Sequence, residues 1–213
     1  MNALVKVLVL CCFSMGAWAN EAPLEKISVA TDATTIERGA EDLMNTCHSC
    51  HTLKYIRYRD LVAFGIDKQK VDAWRGDQPM DSPLLGQLSD ADAMQAFGIV
   101  PPDLSLMVKA RDGGPSYVYS YLLAYHNSPD GVLENPVYPP TKMPDALGIA
   151  SATDAAQRTG IQGRARDIVS FLTWAADPHA TERTRLGYYV LAYLFVLTLL
   201  LYFLKNQIWA RLK

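Results

Sequence analysis

The amino-acid sequence predicts a mostly α-helical domain followed by one C-terminal transmembrane helix. Apolar residues recur at helical spacing in several segments, whereas the alternating apolar and polar residues typical of strands are scarce. Residues 186–204 form a run of 19 residues without a charge, which at about 1.5 Å per residue covers a hydrocarbon core of ~30 Å. The 213 residues are enough for one domain with a sizeable core in addition to such appendages.

The N-terminal segment has the three parts of a secretory signal peptide. Lys6 is followed by an apolar run over residues 7–13 and by the small-residue site Ala17-Trp18-Ala19. We therefore expect residues 1–19 to be a cleaved signal peptide, with the mature chain beginning at Asn20. The alternative is an uncleaved anchor, for which the apolar run is short.

The segment between the signal peptide and the apolar run is acidic. Residues 20–185, the predicted soluble domain, contain 16 Lys+Arg and 22 Asp+Glu, a formal charge of −6. An acidic surface would favour a basic partner and accelerate encounter with it. The alternative is that mild acidity only aids solubility. We expect no nucleic-acid partner.

The first predicted element is an extended arm over residues 20–30, where no clear period is found. A capping box, with Thr34 as N-cap and Glu37 three residues later, predicts the start of the first helix. We expect this helix to run from about Ile36 into residues 47–51. Its apolar face is formed by Ile36, Ala40, Leu43 and Met44.

The end of this helix carries the pentapeptide Cys47-His48-Ser49-Cys50-His51, the C-x-x-C-H attachment sequence for a c-type haem. Two thiols at i and i+3 lie on one side of a helical turn, where they can form thioethers with the two porphyrin vinyl groups. His51 is then held beneath the iron as the proximal ligand, while the His48 side chain points away from it. The motif predicts one covalently bound haem c, and therefore electron transfer.

The alternative interpretation of this motif is a redox-active or zinc-binding cysteine pair. A structural zinc site needs a second pair of ligands, but the two remaining cysteines, Cys11 and Cys12, lie in the predicted signal peptide. Covalent haem attachment also agrees with export, because it belongs to an oxidising compartment outside the cytoplasm.

The later elements are predicted mainly from glycine and proline positions. Residues 65–100 are polar and irregular, and residues 106–111 are expected to be helical. Ser116 is expected to cap a helix that runs through roughly His126. Residues 127–147 contain five prolines and form a long loop, which in a compact domain is usually functional. Residues 163–176 form the last soluble helix, with apolar residues at i, i+3, i+4 and i+7.

The second axial ligand must come from another part of the chain, and methionine or histidine is the usual choice. We favour Met143, because prolines on both sides stiffen its loop and a weak thioether bond needs a stiff support. Sulfur ligation raises the reduction potential relative to two histidines. Met107 is expected to pack in the core. The other candidates are Met80, Met94, His126 and His179.

Arg111 is the candidate partner of a haem propionate, because guanidinium binds carboxylate through two hydrogen bonds. It lies between a Pro-Pro turn and a Gly-Gly turn. The alternative is an ordinary surface arginine. Arg57 and Arg59 are weaker candidates for the same role.

The chain after the apolar run is basic, with Lys205, Arg211 and Lys213 and no acid. Such a tail stays on the cytoplasmic side of a membrane. Residues 205–213 are therefore expected in the cytoplasm, residues 186–204 in the membrane, and residues 20–185 outside the cytoplasm. A buried core helix is the alternative, which the flanking charges disfavour.

Four stretches, taken in order, resemble the cytochrome c1 family of the bacterial type. This family supplies the haem subunit of the ubiquinol–cytochrome c reductase, or bc1, complex. The C-x-x-C-H motif alone would be shared by every c-type cytochrome, so the other three stretches make the resemblance specific. The stretches are residues 47–61, residues 101–118, Asn135-Pro136 with Met143-Pro144, and residues 167–183 with the C-terminal anchor.

The resemblance implies the cytochrome c fold with insertions and one haem attached through Cys47 and Cys50. It implies that Met143 is the sixth ligand of the iron, that Arg111 lies by a propionate, and that Pro102 and Tyr117 line the haem pocket. This chain departs from the family pattern at Pro139-Pro140, where a stretch containing more glycine is expected.

The resemblance also implies partners and a location. The haem would take electrons from a Rieske iron–sulfur protein and pass them to a soluble or anchored c-type cytochrome, with cytochrome b as the third core subunit. The complex would be a dimer in the inner membrane of a bacterium, with the haem domain in the periplasm. A supercomplex with a terminal oxidase is an open alternative.

Two other functions compete with this interpretation. One is an independent membrane-anchored electron carrier or the cytochrome c subunit of a terminal oxidase, which should lack an insertion such as residues 65–100. The other is a haem enzyme such as a peroxidase, which needs an open sixth position or a second haem. Only one C-x-x-C-H motif is present, and Met143 would close the iron.

Overall fold

The computed structural model describes residues 22–211, and in them it has the mostly helical architecture that the sequence predicts. Two short antiparallel sheets and one 3-10 turn, Ile149–Ser151, accompany the helices. The helices are α1 (Ala33–Thr46), α2 (Tyr58–Phe64), α3 (Lys68–Arg75), α4 (Asp90–Phe97), α5 (Met107–Ala110), α6 (Pro115–Leu123), α7 (Ala155–Ala175) and α8 (Ala180–Arg211). The strands are β1 (Leu53–Arg57), β2 (Pro83–Leu84), β3 (His126–Asn127) and β4 (Leu133–Glu134).

The core of the domain lies where α1 and α6 pack against α7. Helices α1 and α7 approach closely at Gly39, where an added Cβ would lie only 2.0 Å from the carbonyl oxygen of Asp167. Two ion pairs flank the contact, Arg38 with Asp167 at 2.7 Å and Arg164 with Asp42 at 2.8 Å. The predicted face of α1 is the one buried here, and it comprises Ile36, Ala40, Leu43 and Met44.

The ends of α1 differ from the prediction. The N-cap is Asp32 rather than Thr34, because Asp32 has extended backbone and its carboxylate accepts the N–H of Thr35 at 2.9 Å. The helix ends at Thr46, so the C-x-x-C-H motif lies in the turn that follows and not in the helix itself. The N–H of His51 still donates to the carbonyl of Cys47 at 2.9 Å, which continues one helical turn through the motif.

Residues 65–100 are more regular than predicted. They contain α3, β2 and α4, and the two helices are capped by the side chains of Asp67 and Ser89. Strand β2 pairs with β1, with Leu53 opposite Leu84. The prediction of an irregular region was wrong because these elements are short and their outward-facing residues are polar. No long series of apolar residues at helical spacing therefore indicates them in the sequence. The predicted loop 127–147 likewise begins within a small hairpin of β3 and β4.

Two other helix starts were also predicted wrongly. Helix α6 begins with Gly114 as N-cap and Pro115 in its first turn, and Gly114 has a φ of +54°, which favours glycine. Ser116 does not cap this helix; its hydroxyl accepts the N–H of Ile27 in the N-terminal arm. Helix α7 begins at Ala155, eight residues before the predicted start, because its first two turns are mostly exposed and carry little apolar period.

Helix α8 is long and apolar enough to cross a membrane, and none of its most apolar 18-residue window is buried against the rest of the described chain. Asp177, just before this helix, holds the start of the helix against the domain through ion pairs. The Asp177 carboxylate binds Lys109 at 3.0 Å and Arg183 at 2.7 Å. Hydrogen bonds from Arg183 and Lys109 lower the pKa of Asp177 to about 2. The predicted signal peptide, residues 1–19, lies outside the described residues.

Candidate functional site

A mostly apolar cavity of about 240 Å³ lies between the C-x-x-C-H turn, α5, α6, α7 and the loop before Leu147. All seven residues that the sequence singles out for the cofactor line this cavity, although they come from three separate stretches of the chain. They are Cys47, Cys50, His51, Pro102, Arg111, Tyr117 and Met143. Among the remaining lining residues, Leu104, Val118, Leu122, Ile168 and Leu172 supply apolar side chains.

The two cysteines of the motif are unpaired thiols at the wall of the cavity. Cys47 is buried, and this burial raises the pKa of its thiol to about 11. The thiol is therefore protonated at neutral pH. Neither cysteine takes part in a disulfide, so both sulfurs are available for the thioether bonds that the motif predicts.

The His51 imidazole is oriented by the backbone of a distant segment. Its Nδ1 lies 2.8 Å from the carbonyl oxygen of Pro102. A carbonyl only accepts hydrogen bonds, so Nδ1 carries the proton and Nε2 keeps its lone pair. Burial lowers the pKa of His51, which favours the neutral ring. A neutral imidazole fixed through one nitrogen is the usual form of a metal-binding histidine.

Asp103 joins this distant segment to the chain that follows the motif. Its carboxylate accepts hydrogen bonds from the Thr52 hydroxyl at 2.8 Å, the Lys54 N–H at 2.9 Å and the Ser105 N–H at 2.9 Å. Partial burial opposes ionisation, but these hydrogen bonds together hold the pKa of Asp103 below its usual range. The Asp103 clamp, which we define as these three hydrogen bonds, keeps the Pro102 carbonyl against His51.

A second segment packs against the motif at Gly86. A Cβ added to Gly86 would lie 3.1 Å from the His51 carbonyl oxygen and 3.2 Å from the Cys50 carbonyl carbon and oxygen. Just beyond it, the N–H of Leu88 donates to the carbonyl of Ser49 at 3.0 Å. The absence of a side chain at Gly86 therefore lets this segment approach and bind the motif backbone.

His48 is buried but does not line the cavity. Its Nδ1 has no hydrogen-bond partner among the described residues, and burial lowers the pKa of the ring. This placement agrees with the prediction that His48 points away from the iron.

The candidates for a second axial ligand differ in whether they line the cavity. Of the predicted candidates, only Met143 and Met107 line the cavity. Met107 is therefore not simply a core residue as predicted, although it is partly buried against the core. The remaining candidates, Met80, Met94, His126 and His179, are not among the residues that line the cavity.

Met143 lies in a loop that is held by α6 and by the residues just after it. The Tyr125 hydroxyl, beyond the end of α6, donates to the Met143 carbonyl at 3.0 Å. The Tyr121 hydroxyl, on α6, lies 2.5 Å from the Thr141 hydroxyl. The buried side chain of Asn135 adds a hydrogen bond to the Tyr121 carbonyl at 2.8 Å. These hydrogen bonds hold the loop in addition to its prolines.

The cations at the cavity are Arg111 and Lys142, both exposed. Within residues 22–211, Arg111 makes no ion pair, and its guanidinium carbon lies 6.0 Å from the centre of the Tyr117 ring. It is thus free to bind an anionic group at the cavity. Arg57 and Arg59 are not among the lining residues, and Arg59 is paired with Asp81.

The residues of the cavity fit a c-type haem. Two free thiols, a neutral imidazole with an available Nε2, two thioethers and apolar walls match what covalent attachment and axial ligation require. The groups that would bind the cofactor all belong to this one cavity. Among the described residues, no cluster of three or more His, Cys, Asp or Glu forms an alternative metal site, such as the zinc site considered above.

Comparison with known proteins identifies the family. The model of the cytochrome C1 family matches residues 23–83 and 75–212. The cytochrome c1 of Allochromatium vinosum is 33% identical over 209 residues, which cover 84% of each chain. A Solanum tuberosum protein described as "Cytochrome c1-2, heme protein, mitochondrial" is 36% identical over 199 residues, which cover 80% of this chain and 75% of that one. The chain belongs to the cytochrome c1 family.

The fold of this cytochrome c1 family member is also found in a solved structure. A chain of a structure described as "Hyperthermophilic respiratory Complex III" matches with a TM-score of 0.52 and 21% identity, covering 99% of this chain and 96% of that chain. The match spans both the helical domain and α8. It confirms the predicted fold class, a mostly helical domain with one long C-terminal helix.

Sequence reasoning missed several residues that shape the site. Asp103 and Gly86 fix the motif side, and Tyr121 and Tyr125 fix the loop of Met143. A signal existed for the tyrosines, because Tyr117, Tyr121 and Tyr125 recur at i, i+4 and i+8 and so share one face of a helix. Gly86 carried no such signal, because its role depends on a contact between distant segments.

Proposed function

We propose that this cytochrome c1 family member passes single electrons through one haem c held by Cys47, Cys50, His51 and Met143. It acts as the electron-transfer subunit of a quinol–cytochrome c reductase. The observation that carries the proposal is the meeting of these four residues in one apolar cavity, although Met143 lies 92 positions after His51 in the sequence.

The haem, when bound, would supply an iron that alternates between two oxidation states without substrate chemistry. The chain's own residues would set the conditions for this change. Pro102 and the Asp103 clamp orient the His51 ring, and the apolar walls of the cavity exclude water. With His51 and Met143 both as ligands, the iron would have no open position for a small molecule, which would favour electron transfer over peroxidase chemistry.

Arg111, which lies beside Tyr117, would bind the acidic propionate groups of the cofactor. Arg111 lines the cavity without an ion-pair partner among the described residues. A guanidinium can hold a propionate through two hydrogen bonds. Lys142, on the Met143 loop, brings a second positive charge to the same cavity.

The proposed partners and location follow from family membership and from α8. The donor would be a Rieske iron–sulfur protein, the acceptor a c-type cytochrome, and cytochrome b the neighbouring membrane subunit of a dimeric complex. Helix α8 would anchor the chain in the inner membrane by residues 186–204, with the haem domain in the periplasm. The basic residues Lys205 and Arg211 follow the apolar segment and favour this orientation.

A pair of matched substitutions tests the ligand assignment. Met143→Leu and Met107→Leu each remove one of the two thioethers in the cavity at similar volume. We expect Met143→Leu to lower the reduction potential sharply and to let the ferrous protein bind carbon monoxide. Met107→Leu should leave both properties near those of the wild type. The reverse result would assign the ligand to Met107.

The complex assignment is tested by extraction of the protein from its membrane in mild detergent. We expect the haem of this chain to copurify with b-type haem and a [2Fe–2S] centre. Recovery of the c-type haem alone would instead favour an independent membrane-anchored carrier or an oxidase subunit.

A further inference from the structure

Three hydroxyl groups and the two backbone groups of Met143 form a closed ring of four short distances. The Met143 N–H lies 3.2 Å from the Thr141 hydroxyl oxygen, which lies 2.5 Å from the Tyr121 hydroxyl oxygen. The Tyr121 and Tyr125 hydroxyl oxygens are 3.0 Å apart, and the Tyr125 hydroxyl is 3.0 Å from the Met143 carbonyl oxygen. The ring thus begins and ends on the backbone of one residue.

Counting protons limits the directions of the bonds in this ring. The Met143 carbonyl only accepts, so Tyr125 is the donor there. The Tyr125 hydroxyl is also placed as the donor toward the Tyr121 oxygen, so its one proton serves these two acceptors in turn. Either hydroxyl can be the donor between Tyr121 and Thr141, and the Thr141 oxygen accepts the Met143 N–H.

The ring is built on rigid, largely buried support. Tyr125 is only 4% exposed, and the Tyr121 ring packs edge-on against it at 5.8 Å between centroids. On its other side, Tyr121 stacks with Tyr117 at 6.3 Å, and Tyr117 lines the cavity. The Asn135 side chain, 2% exposed, binds the Tyr121 carbonyl. Helix α6 and Tyr125, which lies just beyond its end, therefore provide both part of the cavity wall and the support of the loop.

We propose that Tyr121 and Tyr125 are positioning residues that hold Met143 in place through this ring. Both polar groups of the Met143 backbone are bound in it, which fixes the direction of the side chain that enters the cavity. Tyr121 also lines the cavity, whereas Tyr125 does not, and the proposed role of both hydroxyls is to act through Met143. The proposal rests on Met143 being the sixth ligand, as proposed above.

The test uses the purified holoprotein with Tyr121→Phe, Tyr125→Phe and the double substitution. Each single substitution removes one hydroxyl and keeps the packing of the aromatic side chain. Tyr58→Phe is the matched control, because Tyr58 is equally buried but makes no hydrogen bond to this loop. The readouts are carbon monoxide binding to the ferrous form, the reduction potential, and the weak far-red absorption band given by methionine bound to ferric haem.

We expect each single substitution to accelerate carbon monoxide binding about fivefold, because one lost hydrogen bond makes detachment of the loop that much more frequent. The potential and the far-red band should fall in parallel. The double substitution should exceed either single one, because Tyr125 binds the Met143 carbonyl, whereas Tyr121 binds the Thr141 hydroxyl that accepts the Met143 N–H. Single and double variants with effects equal to those of Tyr58→Phe would overturn the proposal.

Met143→Leu separates the failure of this proposal from the failure of the ligand assignment. If Met143→Leu keeps the far-red band, Met143 is not the ligand and the proposed function of this residue fails. If Met143→Leu loses the band while both tyrosine variants match the control, Met143 is the ligand but the ring does not position it.

Discussion

The two sides of the candidate site are held by different means. On the motif side, Cys47, Cys50 and His51 lie within five residues, and the Asp103 clamp holds the Pro102 carbonyl against His51. On the loop side, Met143 depends on the hydroxyl groups of Tyr121 and Tyr125. The comparison teaches that His51, the proposed first ligand, is positioned within a short motif, whereas Met143, the proposed second ligand, is positioned only by hydrogen bonds between distant segments. We therefore expect a small loss of stability to displace Met143 more readily than His51.

The largest expected effect comes from the cysteines. Cys47→Ala and Cys50→Ala each remove one of the two predicted thioether bonds, and the double substitution removes both. We expect the singles to hold haem through one bond with a shifted absorption maximum, measured after denaturation in alkaline pyridine, and the double to hold none covalently. Ser49→Ala, an exposed position between them, should resemble the wild type. Full covalent attachment in the double variant would contradict the assignment.

Asp103→Asn should have the next largest effect, because the amide keeps only one accepting oxygen for the three hydrogen bonds of the clamp. We expect the free energy of unfolding to fall by about 2 kcal/mol at pH 7. Asp81→Asn at an exposed ion pair is the control and should change it by less than about 0.5 kcal/mol. The measurement is denaturant unfolding of the purified protein.

The effect of Asp103→Asn should also depend on pH. Its pKa is lowered in the folded protein, so the ionised carboxylate stabilises the fold fully above the unfolded pKa of about 3.9. This contribution is lost as the pH falls through the lower folded pKa. The difference between wild type and variant should therefore shrink below about pH 4. A difference that grows on acidification would contradict the role of the clamp.

Asn135→Ala examines the loop side. It removes the hydrogen bonds to the Tyr121 carbonyl and from the Val137 N–H, and we expect a loss of about 1–3 kcal/mol because buried groups lose their partners. Carbon monoxide binding to the ferrous form should accelerate, which Asp103→Asn should not cause. Asn127→Ala, exposed in the nearby hairpin, serves as the control. If Asn135→Ala and Asp103→Asn accelerated carbon monoxide binding equally, the two sides of the site would not differ in the proposed way.

Gly86→Ala is expected to have the smallest effect. Its Cβ would be 3.1 Å from the His51 carbonyl oxygen, so the backbone must shift by a few tenths of an ångström, and we expect a destabilisation of about 1 kcal/mol. Gly163→Ala on α7 meets no atom within 4 Å and should stabilise the protein by about 0.5–1 kcal/mol. Thermal unfolding of the two variants compares them directly. Stabilisation by Gly86→Ala would show that the close approach is unimportant.

The sequence was most informative where one signal was local. The C-x-x-C-H motif, the face of α1 and the apolar segment of α8 could be predicted because neighbouring residues carry the whole pattern. The irregularity predicted for residues 65–100 was wrong, since α3 and α4 are short helices without a long apolar period. The support of Met143 was not predictable, because it depends on residues 121 and 125 meeting residues 141–143 in space.

Helix α8 begins at Ala180, six residues before the proposed membrane span. Those residues would separate the domain from the membrane by roughly 9 Å of rigid helix instead of a flexible linker. Asp177 fixes the start of this helix to the domain through its bonds to Lys109 and Arg183. The haem would then sit at a constant height above the lipid surface with little freedom to reorient. Partners would have to travel to it, so the distance of electron transfer would be set by their docking and not by motion of this chain.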